Sequence, residues 1–123
     1  MTDFDELPEF SRELKKLSRK YRSLPDDLNL FKKVLKATLP NHPPGTFRIS
    51  GLAEEVQIPI YKVKSFRCTS LTGKGSRSGI RVIYAFIEDA CSIVFIEIYH
   101  KNRKANEDKA RIIRNFQEYD DGN

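Results

Sequence analysis

IRVIYAFIEDACSIVFIEIYH, residues 80–100, contains two runs of β-branched and aromatic residues joined by a short acidic turn around Glu88, Asp89 and Ala90. Such runs favour strands, and a connection this short predicts that they pair as an antiparallel hairpin. Upstream, IPIYKVKSFRC (58–68) has the same character and predicts a third strand. Between it and the hairpin lies TSLTGKGSRSG (69–79), a Gly/Ser loop with Lys74 and Arg77 at its tip. Gly73, Lys74, Gly75 and Ser76 match a phosphate loop only superficially. That loop needs a longer glycine spacing and a helix directly after it, and here a strand follows.

Helical patterns flank the sheet. LPEFSRELKKLSRKYR (7–22) sets Leu7, Phe10, Leu14, Leu17 and Tyr21 at steps of three and four, one apolar stripe backed by Arg and Lys. Ser23 and Pro25 interrupt it. Asp26 and Asp27 then suit the positive end of a second helix, which carries Leu28, Phe31, Val34, Leu35 and Leu39 and ends at Pro40. Two amphipathic helices with a short turn form a helical hairpin. Prolines at 40, 43 and 44 exclude helix from the next segment, where FRISGL (47–52) suits a short strand or a packed loop. NEDKARIIRNFQEY (106–119) predicts a last helix, with Asn106 as N-cap, Glu107 and Asp108 in its first turn, and Ile112, Ile113 and Phe116 inward. The expected fold is therefore α+β: a small antiparallel sheet packed on an N-terminal helical hairpin, with a C-terminal helix, the helices on one face and the other face open. Residues 1–118 read as one domain and 119–123 as a disordered tail.

Composition narrows the class. The 123 residues are 39% hydrophobic and 32% charged, the balance of a globular chain rather than a disordered one. No window approaches a membrane span, and MTDFDELPEF is acidic where a signal peptide is basic and then apolar. The expectation is a cytoplasmic protein. Cys68 and Cys91 share no ligand spacing with His42 or His100, so neither a metal site nor a catalytic thiol is expected, and no cofactor. Both thiols read as reduced and packed in strands.

Charge points to a partner. Of the net +5, residues 60–104 contribute nine Lys/Arg against three Asp/Glu, while residues 1–59 are nearly balanced and 105–123 are acidic. Concentrated positive charge attracts polyanions, nucleic acid commonest among them. In YKVKSFRC (61–68), Val63 and Phe66 take the apolar side and Lys62 and Lys64 project together from the other. Arg81 stands alone among Ile80, Val82, Ile83 and Tyr84, a placement that suits either a sheet edge or a cleft. Tyr99, His100, Lys101, Asn102, Arg103 and Lys104 form a polar cluster after the last strand. The plainer reading of all these cations is a solvated basic face or a protected edge.

The order YKVK, GIRVIYAF, IVFIEIYHKNRKANED, preceded by the EFSRELKKLSRKY helix, resembles the RelE/ParE superfamily of bacterial type II toxins. It is most similar to the RelE- and HigB-type ribosome-dependent mRNA endonucleases, over about residues 7–118. The resemblance implies a toxin that cleaves mRNA on the ribosome by attack of a ribose 2′-hydroxyl on the adjacent phosphate, without a metal, and that a cognate antitoxin neutralises. It implies that Lys62, Lys64 and Arg81 form the catalytic group, with Lys64 as base and the other two on the scissile phosphate, or the two lysines reversed. Neighbouring cations would favour a lysine's neutral form. Lys101 and Arg103 fall where the family supplies a transition-state cation or acid. Tyr99 and His100 are candidates for base stacking or proton donation, and Tyr61, Arg67, Lys74 and Arg77 for further RNA contacts. Family enzymes often carry a Tyr or His near the C-terminus; this chain has only Tyr119, beyond the last helix's stripe. The alternative is a non-catalytic binding protein of this fold, such as a gyrase inhibitor or a degenerate toxin that binds only an antitoxin or RNA. Gyrase-directed ParE-type members characteristically lack the paired strand lysines.

Overall fold

The structure is a computed structural model and describes residues 2–52, 54, 56–71 and 77–117. The hairpin expected at 80–100 forms its centre. β4 (Ile80–Ile87) and β5 (Ser92–His100) pair antiparallel from Ile80 opposite His100 to Ile87 opposite Ser92. β3 (Ile60–Val63) joins β4, and β2 (Thr46–Arg48) joins β3, both antiparallel. β1 (Asp3–Glu6) lies on the other side of β5, so the order is β1-β5-β4-β3-β2. α1 (Pro8–Ser18), α2 (Leu24–Thr38) and α3 (Lys109–Phe116) complete the chain. Among the described residues no helix is long and apolar enough to cross a membrane.

Two features correct the expected fold. The sheet is mixed, because β1 runs parallel to β5, with Phe4 opposite Ile93. DFDE offers too few alternations to be read as a strand. Phe4 nevertheless stacks on Phe95 at 6.1 Å, while Asp3 and Asp5 alternate with it and are exposed on this edge strand, where charge discourages further pairing. Second, helices cover both faces. α1 and α2 bury Phe10, Leu24, Leu28 and Leu35 against Val82, Tyr84, Phe95 and Ile98, whereas α3 buries Ile112 and Phe116 against Ile60, Ile83, Ala85 and Ile96 on the opposite face. β4 is apolar at both parities, as a strand covered on both sides must be. Each such fully buried side chain contributes roughly 1.5–3 kcal/mol.

The core holds three local surprises. A bulge in β5 beside Ile83 and Tyr84 turns Ile96 and Glu97 both toward the α3 side, which buries the Glu97 carboxylate. Asp27 tethers the segment after β3, accepting from the Thr69 backbone N–H (3.1 Å), the Thr69 hydroxyl (2.7 Å) and the Ser23 hydroxyl (2.6 Å). The thiols are both reduced, but neither lies in a strand: Cys68 is buried past the end of β3, and Cys91 is exposed in the β4–β5 turn at φ 49°.

Beyond the four residues paired with β1, the edge of β5 is open, and its ladder groups need other partners. Glu13 of α1 accepts from the Ile98 N–H at 3.3 Å, and Arg111 of α3 donates to the Ile96 carbonyl at 2.8 Å. The same two side chains form a two-pronged ion pair at 2.9 and 2.8 Å, so one Arg–carboxylate fork closes the sheet edge and ties α1 to α3. The N-cap of α3 is Asp108, whose carboxylate accepts from the Arg111 N–H at 3.0 Å. The expected cap, Asn106, lies two residues too early. The expected tail at 119–123 lies outside the described residues.

Candidate nucleic-acid interface

The cations singled out in the sequence gather at one end of the sheet, where β3 ends, β4 begins and β5 ends, but on two different faces. On the α3 face, Phe47, Lys62, Ile83 and Glu97 stand opposite one another across β2, β3, β4 and β5, with Arg81 and Tyr99 paired in a neighbouring row. Lys64 follows one residue beyond β3. Arg81 donates from Nη1 to the Lys64 carbonyl at 3.1 Å, which sets its guanidinium against the Lys64 backbone. Among the described residues no carboxylate pairs with Lys64 or Arg81. The Lys64 ammonium instead lies 5.3 Å from the Phe47 ring centroid.

Lys62 is differently placed. Its ammonium donates to Glu107 Oε1 at 2.9 Å, and the two side chains are only 13% and 9% exposed. Burial alone would push the ammonium toward its neutral form, but the hydrogen bond and charge of Glu107 outweigh it, and the pKa moves up. That is the reverse of the shift expected for a strand lysine acting as base, and it counts against the order in which Lys62 takes the proton. Glu107 answers in kind: burial would raise its pKa, yet the Lys62 contact leaves it lowered. Next to the pair, the buried Tyr99 hydroxyl has no well-aligned hydrogen bond among the described residues, and burial raises its pKa despite the charge and contact of the Lys62 ammonium. Tyr99 is thus covered rather than offered for base stacking. Lys104 reaches Glu97 and passes over the Tyr99 ring at 5.5 Å, while Glu97 also accepts from the Asp108 N–H at 2.8 Å.

The remaining predicted residues lie elsewhere. His100 projects to the α1 side, its ring 6.0 Å from that of Tyr21, and lines a cleft of about 190 Å³ with Lys20, Asn102 and Arg103. Burial lowers its pKa, and Lys20, Lys101 and Arg81 add to the effect. Lys101 and Arg103 are exposed in the turn after β5, the Lys101 N–H held by the Gly79 carbonyl at 2.9 Å. Tyr61 faces the helical hairpin, stacked on His42 at 3.8 Å, and His42 Nδ1 meets the Tyr84 hydroxyl at 2.6 Å. Arg67 borders a groove with Leu30, Phe31 and Val34 on that same side. Arg77 is exposed, and Lys74 and Tyr119 lie outside the described residues.

Three residues of this region escaped the sequence reading. Glu97, the lone acid in SIVFIEIYH, was the available signal that a buried charge needed partners. Glu107 was assigned to a helix turn, and its pairing with a residue 45 positions away has no local signature. Phe47 sat in a segment read only as strand or loop. Among the described residues no group of three or more His, Cys, Asp or Glu is arranged to hold a metal ion. A scan of the chain against family models and a search of curated proteins each return no match.

Proposed function

We propose that this chain is a RelE/ParE-type toxin acting as a ribosome-dependent mRNA endonuclease in the cytoplasm, held inactive by a cognate antitoxin. The observation that carries the reading is that Lys64 and Arg81 share one sheet face, linked by the Arg81 bond to the Lys64 carbonyl and with no carboxylate partner among the described residues, within the most basic third of the chain. Cations so placed can hold a phosphodiester and stabilise the extra negative charge that develops as it is attacked. In this scheme the 2′-oxygen attacks the adjacent phosphorus and its proton passes to the Lys64 side chain, which must enter this step as the uncharged amine. The bond from phosphorus to the 5′-oxygen breaks, leaving a cyclic phosphate on one product and a 5′-hydroxyl on the other. Arg81 neutralises the phosphoryl oxygens, and Lys101 or Arg103 supplies the charge or proton for the leaving oxygen. Lys62 joins only by exchanging Glu107 for phosphate.

That last contact is the specific support for a second reading, a binding protein of the same fold without activity, since one member of the expected catalytic group is already occupied. Induction of the protein in growing cells, with mapping of mRNA 5′ ends, separates the two. The endonuclease reading expects cleavages in the ribosomal A site. It expects Lys64→Ala and Arg81→Ala each to reduce them about 10²–10³-fold, the scale seen on removing one transition-state donor. Continued translation with accumulating DNA breaks, or undiminished toxicity of both folded variants, overturns it.

A further inference from the structure

Three large apolar side chains are exposed among the described residues: Leu30, Val34 and Phe47. Leu30 and Val34 share one helix and one groove. Phe47 is alone on the other face, 54% exposed, on a strand of three residues at the sheet edge. Its neighbours are cations: Lys62 stands opposite in register, and the Lys64 ammonium lies 5.3 Å from the ring centroid, tied through its carbonyl to Arg81. A flat hydrocarbon surface left open beside an ammonium that has no carboxylate partner among the described residues suits a flat, uncharged group attached to an anion.

We propose that Phe47 is a stacking platform for one nucleobase of single-stranded RNA, with the phosphate next to that base held by Lys64 and Arg81. The inference rests on the nucleic-acid reading above and names where the strand lies. Stacking on an aromatic ring accepts any base, because every base has a π-face, so the platform positions RNA without reading its sequence. The Lys64 stem is long enough to move its charge from the ring to a phosphate while the base takes the ring. Beyond Phe47 the same sheet face continues into a cleft of about 380 Å³ lined by Ile49, Leu52, Ile58 and Ile60, which leaves room for the strand to pass.

The test uses the full chain at low salt, where phosphate contacts are strongest. Its probe is a short fluorescein-labelled single-stranded RNA, together with a version of the same length in which every base is replaced by an abasic ribose. Wild type is expected to bind the abasic strand roughly tenfold more weakly. Phe47→Leu, which keeps an apolar side chain but removes the ring, should lose a similar factor on intact RNA and show a smaller further loss on the abasic strand than wild type does, whereas Phe47→Tyr should bind like wild type. Lys64→Ala should weaken binding to every probe alike. If Phe47→Leu binds intact RNA as tightly as wild type, this inference fails while the nucleic-acid reading stands, and the ring is left for a protein partner. If wild type binds none of the probes, this inference fails, and the endonuclease reading is decided by the A-site cleavages.

Discussion

Replacing Glu107 by Gln removes one charge from the most enclosed ion pair at the candidate site while preserving its shape. At 2.9 Å and an effective dielectric of ~20, the attraction between Lys62 and Glu107 is about 6 kcal/mol. Desolvation of two nearly covered groups cancels most of it, several kcal/mol per ion. What the variant loses is therefore set by the ammonium left behind, with a side chain only 13% exposed, beside the Tyr99 hydroxyl and a neutral amide oxygen that still accepts a hydrogen bond. We expect a loss of about 2 kcal/mol in urea unfolding at neutral pH, and a fall in Tm of about 6–8 °C. The pH profile supplies the sign. Because the folded Glu107 pKa lies below its ordinary 4.5, the contribution is complete above that value and is lost as pH falls through the folded pKa. Lys62 mirrors this at the alkaline end: its contribution is complete below 10.5 and disappears as pH rises through the raised folded pKa. The variant's acid limb should accordingly be shallower than wild type's. Glu107, just before α3, is joined by this pair to Lys62 of β3, and stability within about 0.5 kcal/mol of wild type, with an unchanged acid limb, would refute a stabilising role for it.

Arg111→Met, which strips the fork from the open edge of β5, should cost about 3 kcal/mol, since it leaves the Ile96 carbonyl and the Glu13 carboxylate without their partner; Arg111→Lys should recover part of that in the same urea titration. Both histidines should titrate by NMR below the ordinary 6.5, His42 through burial and His100 through burial and surrounding cations. Lys20→Ala should raise the His100 midpoint alone, and an unmoved midpoint would remove Lys20 from the account. Because each histidine binds its proton more readily when unfolded, stability should decline as pH falls through 6.5.

The hairpin at 80–100, both N-terminal helices and the last helix were legible in the chain because their signals are local: alternation, three-and-four spacing, turn acids and prolines. The candidate cations were legible as residue types. Their grouping was not, since face assignment depends on the pleat of strands whose ends only the fold defines. Lys62 and Lys64 do share a face by alternation, as read, but one is sealed by a carboxylate 45 residues later and the other is left open. Tyr99 and His100, adjacent in sequence, part to opposite faces, one buried under Lys104 and the other set against Tyr21.

By itself the sequence determined the three helices and the strands β3, β4 and β5, that β4 and β5 pair, and that positive charge concentrates in residues 60–104. Periodicity and short connections depend only on neighbours along the chain. Tertiary structure alone decided that β1 adds a parallel edge, that α3 closes the second face, and that Glu107, Glu97 and Phe47 stand among the cations. Those outcomes turn on contacts between distant segments, where burial and charge pairing select one partner from many that the sequence would equally allow.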